Sequence, residues 1–142
     1  MNGDRVLIIE ARYYNHISDM LLQGARGALE KAGVAHDVVT VPGALEIPAA
    51  LKFAAGKGGY AAYVVLGCVI RGETTHYDVV QNESARGIYQ LVLEHGLALG
   101  NAILTVENEE QALARADISR MNKGGGAAEA ALTMRNLKDS FR

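Results

Sequence analysis

Apolar residues along this chain alternate between short unbroken runs and spacings of three and four, a rhythm that divides it into strands and helices in turn. Val6 to Glu10 reads as a central parallel strand. Ile17, Leu21, Gly24, Ala25, Ala28, Leu29 and Ala32 then recur on one helical face, with Gly33 as the C-cap. Asp37 to Val41 is the second strand, closed by Pro42-Gly43. Pro48 fits the first turn of a helix from about Ile47 to Phe53, and Gly56-Lys57-Gly58-Gly59 turns the chain back. Tyr63 to Val69 is the third strand, followed by a long helix with Val80, Gly87, Ile88, Leu91 and Val92 on one face and His95-Gly96 as its stop. Ala102 to Val106 is the fourth strand; a short helix starts near Asn108, and a last one runs from about Gly126 through Ala130, Met134, Leu137 and Phe141. Parallel neighbours need long crossover connections, which these helices supply. The pattern therefore predicts a three-layer α/β/α sandwich around a four-stranded parallel sheet.

Composition narrows the function without naming it. At 142 residues and 49% hydrophobic, the chain predicts one domain over residues 1–142 that buries about 70% of its unfolded surface. A net charge of −2 with no clustered Lys or Arg argues against a nucleic-acid or membrane-surface partner and for a small substrate. Cys68 is the only cysteine, which excludes an internal disulfide, and the apolar run before Glu10 is too short for a signal peptide or membrane span. These features predict a cytoplasmic protein.

The chemistry concentrates where strands end. LGCVIRGETTHYDVV (Leu66 to Val80) reads as a buried strand that breaks at Gly72 and restarts as a helix. Open α/β sheets bind ligands at such a break, and the first-turn N–H groups favour anions. Thr75 and Asp78 have capping-box spacing, which puts His76 in the first turn facing the crevice. The other strand ends bring Tyr13 to Asn15, Pro42 to Glu46 and Glu107 to Lys123 to the same side of the sheet. Each of these residues also has an ordinary use. A lone His is most often a surface group, Glu46 a helix-start acid, Arg115 and Lys123 solvated helix-end cations, and Tyr13 and Tyr14 packing residues. Cys68 within a strand is a small buried hydrophobe, since reactive thiols need an electropositive, accessible setting. The histidines lack the spacing of metal ligands, AAGKGG lacks the register of a phosphate loop, and no G-x-G-x-x-G occurs, so neither a metal nor a dinucleotide is predicted.

Taken together, the blocks resemble one family. Tyr14-Asn15, VPGALEIP (Val41 to Pro48), GCVIRGETTHYD (Gly67 to Asp78), ILTVEN (Ile103 to Asn108) and NKGG (from Asn122) stand in the order and spacing of the 6,7-dimethyl-8-ribityllumazine synthases, transferases of riboflavin biosynthesis. The resemblance spans nearly the whole chain and implies a flavodoxin-like sheet. It further implies the joining of 5-amino-6-(D-ribitylamino)uracil to 3,4-dihydroxy-2-butanone 4-phosphate, with release of phosphate and water and no cofactor. By position, it implies that Tyr14 stacks over the pyrimidine and that Ala44, Leu45 and Glu46 contact the ribityl arm and ring. Cys68, Val69 and Ile70 would offer backbone groups to the uracil edge. Glu73 and Thr74 would receive the phosphate, with the Glu73 side chain turned away, and His76 would transfer protons. Arg115 would bind phosphate and Lys123 would lie near the pyrimidine. Asn101 falls at a substrate-facing position that is aromatic in many members and comes from a neighbouring subunit.

The family's assemblies are pentamers with active sites between neighbours, and some build hollow shells of sixty subunits. The short segment ahead of Val6 and the turn Ala116 to Asn122, without a glycine-rich stretch, lead us to expect a pentamer or a small multiple of it. The competing reading is a non-catalytic flavin- or lumazine-binding protein of the same fold, which Asn101 leaves open and the set His76, Arg115 and Lys123 argues against. A phospho-receiver would need an acidic cluster and an acceptor Asp at the strand ends, and none is found.

Overall fold

The computed structural model describes residues 4–142, so residues 1–3 of the expected domain lie outside it. Strands β1 (Val6–Ala11), β2 (His36–Val41), β3 (Ala62–Ile70) and β4 (Leu99–Val106) form one sheet in the order β2-β1-β3-β4. Every pairing is parallel, with Val6 opposite His36 and Ala62, and Tyr63 opposite Leu99. Helices α1 (Asn15–Lys31), α4 (Glu109–Ala116) and α5 (Lys123–Ser140) cover one face. Helices α2 (Ile47–Lys57) and α3 (His76–His95) cover the other, completing the α/β/α sandwich.

Alternation along the strands assigns the two cores. Val6, Ile8, Val64, Leu66 and Leu104 face α1 and α5, while Leu7, Ile9, Tyr63 and Val65 face α2 and α3. β1 and β3 are buried on both sides, which is why they read as unbroken apolar runs.

Local signals place most boundaries. Gly33, just past the α1 C-cap, takes φ +72°. Pro48 lies in the first turn of α2. Asn108 caps α4 by accepting from Gln111 N–H at 2.9 Å, and the Gln111 side chain accepts from Glu107 N–H at 2.8 Å, a near-reciprocal cap.

Three expectations are corrected and one element is added. β4 begins at Leu99 and not at Ala102, because Gly100 and Asn101 interrupt the apolar pattern of what is an edge strand. α5 begins at Lys123, ahead of the expected Gly126, because Asn122, at φ 45°, caps it through Gly125 N–H at 3.2 Å. Ala44–Glu46 forms a single 3₁₀ turn that the pattern does not foretell. Thr75 is the N-cap residue of α3, but its side chain makes no cap hydrogen bond. Thr74 Oγ1 instead accepts from His76 N–H at 3.3 Å, so the Thr75–Asp78 capping box does not form.

The glycines of α5 are matched to close approaches. A Cβ on Gly124 would lie 2.2 Å from Leu21 O of α1, and one on Gly100 would lie 1.7 Å from Ala127 O of α5. α5 therefore rests on α1 and β4 at backbone distance. The NKGG block serves this packing whatever else it does.

Candidate functional site

At the carboxyl ends of β1, β2 and β3 lies a crevice of about 390 Å³. Its walls are Tyr13 and Tyr14 after β1, Pro42 to Glu46 after β2, Cys68 to Ile70 at the end of β3, and Gly72, Thr74, His76, Tyr77 and Val80 at the start of α3. Segments more than sixty residues apart in sequence converge because parallel strands end on one side. Of the residues singled out in the sequence, Tyr14, Ala44, Leu45, Glu46, Cys68, Val69, Ile70, Thr74 and His76 all line it.

Two tyrosines make one wall. Their rings meet edge to face, with centroids 4.9 Å apart and an interplanar angle of 77°. Tyr14 is half-buried against the α1 side of the core, and that burial raises its hydroxyl pKa. Tyr13 is 74% exposed and meets the half-buried Tyr14 edge to face.

The loop carrying both rings is braced from below. Glu10, 3% exposed, accepts from Thr40 Oγ1 at 2.7 Å and from Arg12 at 2.8 Å; Arg12 also bonds Asp19 and, at 3.2 Å, the Asn15 carbonyl. Sequence reasoning passed over this network. Its signal is the Glu10–Arg12 pair, an acid and a base two apart on one strand face next to an apolar run.

The floor is uncharged. Burial pushes the Cys68 thiol up to about 11, so it stays protonated near neutral pH and cannot serve as a nucleophile. At the far wall, His76 is the first residue of α3, a helix of 20 residues whose first turn, through His76 and Tyr77, borders the crevice. This end favours an anion, and the imidazole stands beside it.

Charge to hold a phosphate is sparse on this wall. Arg71 is close by but is engaged with Glu107 and Asp78. Glu73 lies in the same loop and does not line the crevice. Arg115, on α4, donates to Gln111 O of its own helix at 3.1 Å; Lys123, at the start of α5, is exposed; neither borders the crevice of its own chain. Asn101 sits on β4, away from the crevice. Its Oδ1 accepts from Ile103 N–H at 2.7 Å and its Nδ2 donates to Tyr89 Oη at 3.3 Å, so its amide occupies an outward-facing group of the sheet edge.

Among the described residues, no group of three or more His, Cys, Asp and Glu side chains is arranged to hold a metal ion, and no helix is long and apolar enough to cross a membrane.

Residues 3–139 match the family described as 6,7-dimethyl-8-ribityllumazine synthase. Three relatives carry that name. The Sphingopyxis alaskensis protein is 65% identical over 136 residues, 96% of each chain. The Zymomonas mobilis protein is 60% identical over 134 residues, 94% of this chain and 96% of its own. The Methylobacterium radiotolerans protein is 60% identical over 136 residues, 96% of this chain and 83% of its own.

Proposed function

Because the chain belongs to the 6,7-dimethyl-8-ribityllumazine synthase family, we infer that it condenses 5-amino-6-(D-ribitylamino)uracil with 3,4-dihydroxy-2-butanone 4-phosphate to 6,7-dimethyl-8-ribityllumazine, phosphate and water. The observation that carries this reading is the convergence of the VPGALE and GCVIRGETTH blocks on one crevice, with an aromatic pair at one wall and a helix N-terminus at the other.

Each part has a chemical use. Tyr14, with Tyr13 set edge-on against it, stacks over the pyrimidine, and backbone groups at Cys68, Val69 and Ile70 meet the uracil edge. The 3₁₀ turn brings Ala44, Leu45 and Glu46 to the ribityl arm, where the Glu46 carboxylate accepts from hydroxyls through charge-assisted bonds. Thr74 and the α3 N-terminus receive the phosphate, with Glu73 contributing its backbone N–H.

The reaction is a series of proton movements. The pyrimidine amine attacks the ketone, the carbinolamine loses water, phosphate leaves, and the ring closes through the ribitylamine nitrogen with loss of a second water. His76 takes and returns the protons, standing next to the anion site where the leaving group departs. Holding two reactants in register supplies much of the remainder, worth ~7–11 kcal/mol where alignment is good.

The crevice of one chain is half of the site in this account. Arg115 and Lys123 do not border this crevice in their own chain, and Arg71 beside it is committed to Glu107. We assign these two residues to the crevice of a neighbouring copy, in a pentamer-based homo-oligomer with active sites between subunits. Asn101 would meet that neighbour's ligand as a polar group, its ring-stacking role absent. The protein works as a single domain and, since its phosphorylated substrate does not cross membranes unaided, in the cytoplasm.

Withholding each substrate in turn tests the function. Lumazine absorbance should grow only when both are present and faster than the uncatalysed mixture; growth at the uncatalysed rate would refute it.

A further inference from the structure

Arg71 is the last residue before the loop 72–75, and its side chain reaches past that loop to the other side. Nε donates to Glu107 Oε2 at 2.7 Å, a terminal amino group lies 3.8 Å from Asp78 Oδ1, and the guanidinium carbon sits 4.3 Å from the centroid of the Tyr77 ring. The backbone N–H of Arg71 donates to Val106 O at 2.9 Å. The end of β3, the end of β4 and the first turn of α3 thus meet on one planar cation. Residues 72–76 between these anchors are all exposed, and the hydrogen bonds that hold them sit at the helix start, from His76 N–H to Thr74 Oγ1 and from the Asp78 and Val79 N–H groups to Thr75 O.

An exposed loop with few bonds of its own takes its geometry from its ends. We propose that Arg71 is a positioning residue whose guanidinium clamps the two ends of the 72–75 loop, aiming the α3 N–H groups and His76 at the phosphate-bearing substrate. This rests on the function inferred above. Charge matching distinguishes the clamp from an anion ligand. Glu107 and Asp78 flank the guanidinium, so its charge is answered by carboxylates before any phosphate arrives. Arginine suits this better than lysine, because its planar guanidinium pairs with a carboxylate at its edge while its face covers an aromatic ring.

Three variants and one probe test it. In Arg71→Met, Arg71→Lys and Glu107→Gln, Michaelis constants for both substrates, turnover and the inhibition constant of inorganic phosphate are measured on folded protein. The clamp predicts a roughly 5- to 10-fold rise in the phosphate inhibition constant for Arg71→Met and a fall in turnover of about 10- to 100-fold, since small misplacements of reacting groups cost that much. Glu107→Gln should move both in the same direction by less, and Arg71→Lys should fall between wild type and Arg71→Met. The pyrimidine constant should hold in all three. A direct ligand predicts the opposite sign for Glu107→Gln, because releasing Arg71 from its carboxylate would tighten phosphate. That result, or phosphate inhibition unchanged in both Arg71→Met and Glu107→Gln, overturns the proposal. If Arg71→Met does not fold, Glu107→Gln alone decides. Wild-type protein that makes no lumazine would overturn the functional reading, while wild-type activity with unmoved variants would overturn only the clamp.

Discussion

Adding one methyl group to each of three adjacent glycines should shift stability in different directions. In Gly124→Ala the new Cβ would lie 2.2 Å from Leu21 O, about 1.2 Å short of the 3.4 Å at which ordinary contact begins. The obstacle is the backbone of α1, so relief requires the two helices to separate. Overpacking of this kind costs ~1–3 kcal/mol, here at the upper end, and replacing glycine in a helix returns ~0.5–1 kcal/mol. The net loss is about 2 kcal/mol, a fall in melting temperature of about 4–8 °C for a chain of this size. Gly126→Ala meets nothing within 4 Å, so only the propensity gain remains and the midpoint should rise by about 1–4 °C. Gly125→Ala falls between them. Its Cβ would lie 2.4 Å from Asn122 Nδ2, a side chain able to swing aside, but only by giving up the cap on α5, at about 1 kcal/mol. Thermal unfolding at one fixed protomer concentration reads all three, since assembly makes midpoints concentration-dependent. Gly124→Ala and Gly126→Ala moving in the same direction would refute the backbone-contact reasoning.

His76→Ala should mainly lower turnover, by up to ~10²–10⁴-fold where proton transfer limits the rate. Arg115→Ala should mainly raise the constant for the phosphate substrate by about one to two decades, the worth of a charge-assisted contact; steady-state kinetics with both substrates separates the two. Alkylation of Cys68 at pH 8 should run about 100-fold slower than for an ordinary thiol, because a pKa pushed up to about 11 leaves that much less thiolate; stopped-time labelling by mass spectrometry measures it. The Arg5 side chain and then the Tyr60 hydroxyl hold the Asp37 carboxyl below its usual range. A depressed folded pKa contributes stability that is present above the unfolded value of about 4 and lost as pH falls through the folded one. Melting curves of wild type and Asp37→Asn should therefore differ at neutral pH and converge on acidification.

The sheet was legible because β1 and β3 are buried on both faces, and an unbroken apolar run has few other uses. β4 was legible only from Ala102, since an edge strand tolerates the glycine and asparagine that precede it. The start of α5 defeated propensity for a tertiary reason: its glycines are poor helix formers, and only the proximity of Leu21 and Asn122 makes them fit there. Thr75 and Asp78 had the spacing of a cap, but the loop geometry turned Thr74 to His76 instead. The crevice residues were recoverable because strand ends of a parallel sheet share one side. The Glu10–Arg12 network and the partners of Arg71 needed coordinates, because pairing, not residue type, distinguishes them from solvated neighbours. Arg115, Lys123 and Asn101 belong to the family pattern yet lie away from the crevice of their own chain, and a sequence does not say which copy a residue serves.

We assign this crevice as half of an active site that a second copy completes, with His76 from one chain and Arg115 from its neighbour. Unfolding His76→Ala and Arg115→Ala variants together in equal amounts, refolding them and assaying lumazine formation tests it directly. Random assembly would give about a quarter of the interfaces an intact pair, so activity should recover to about a quarter of wild type while each variant refolded alone stays low. Activity of the mixture no greater than the mean of the two variants would contradict the claim.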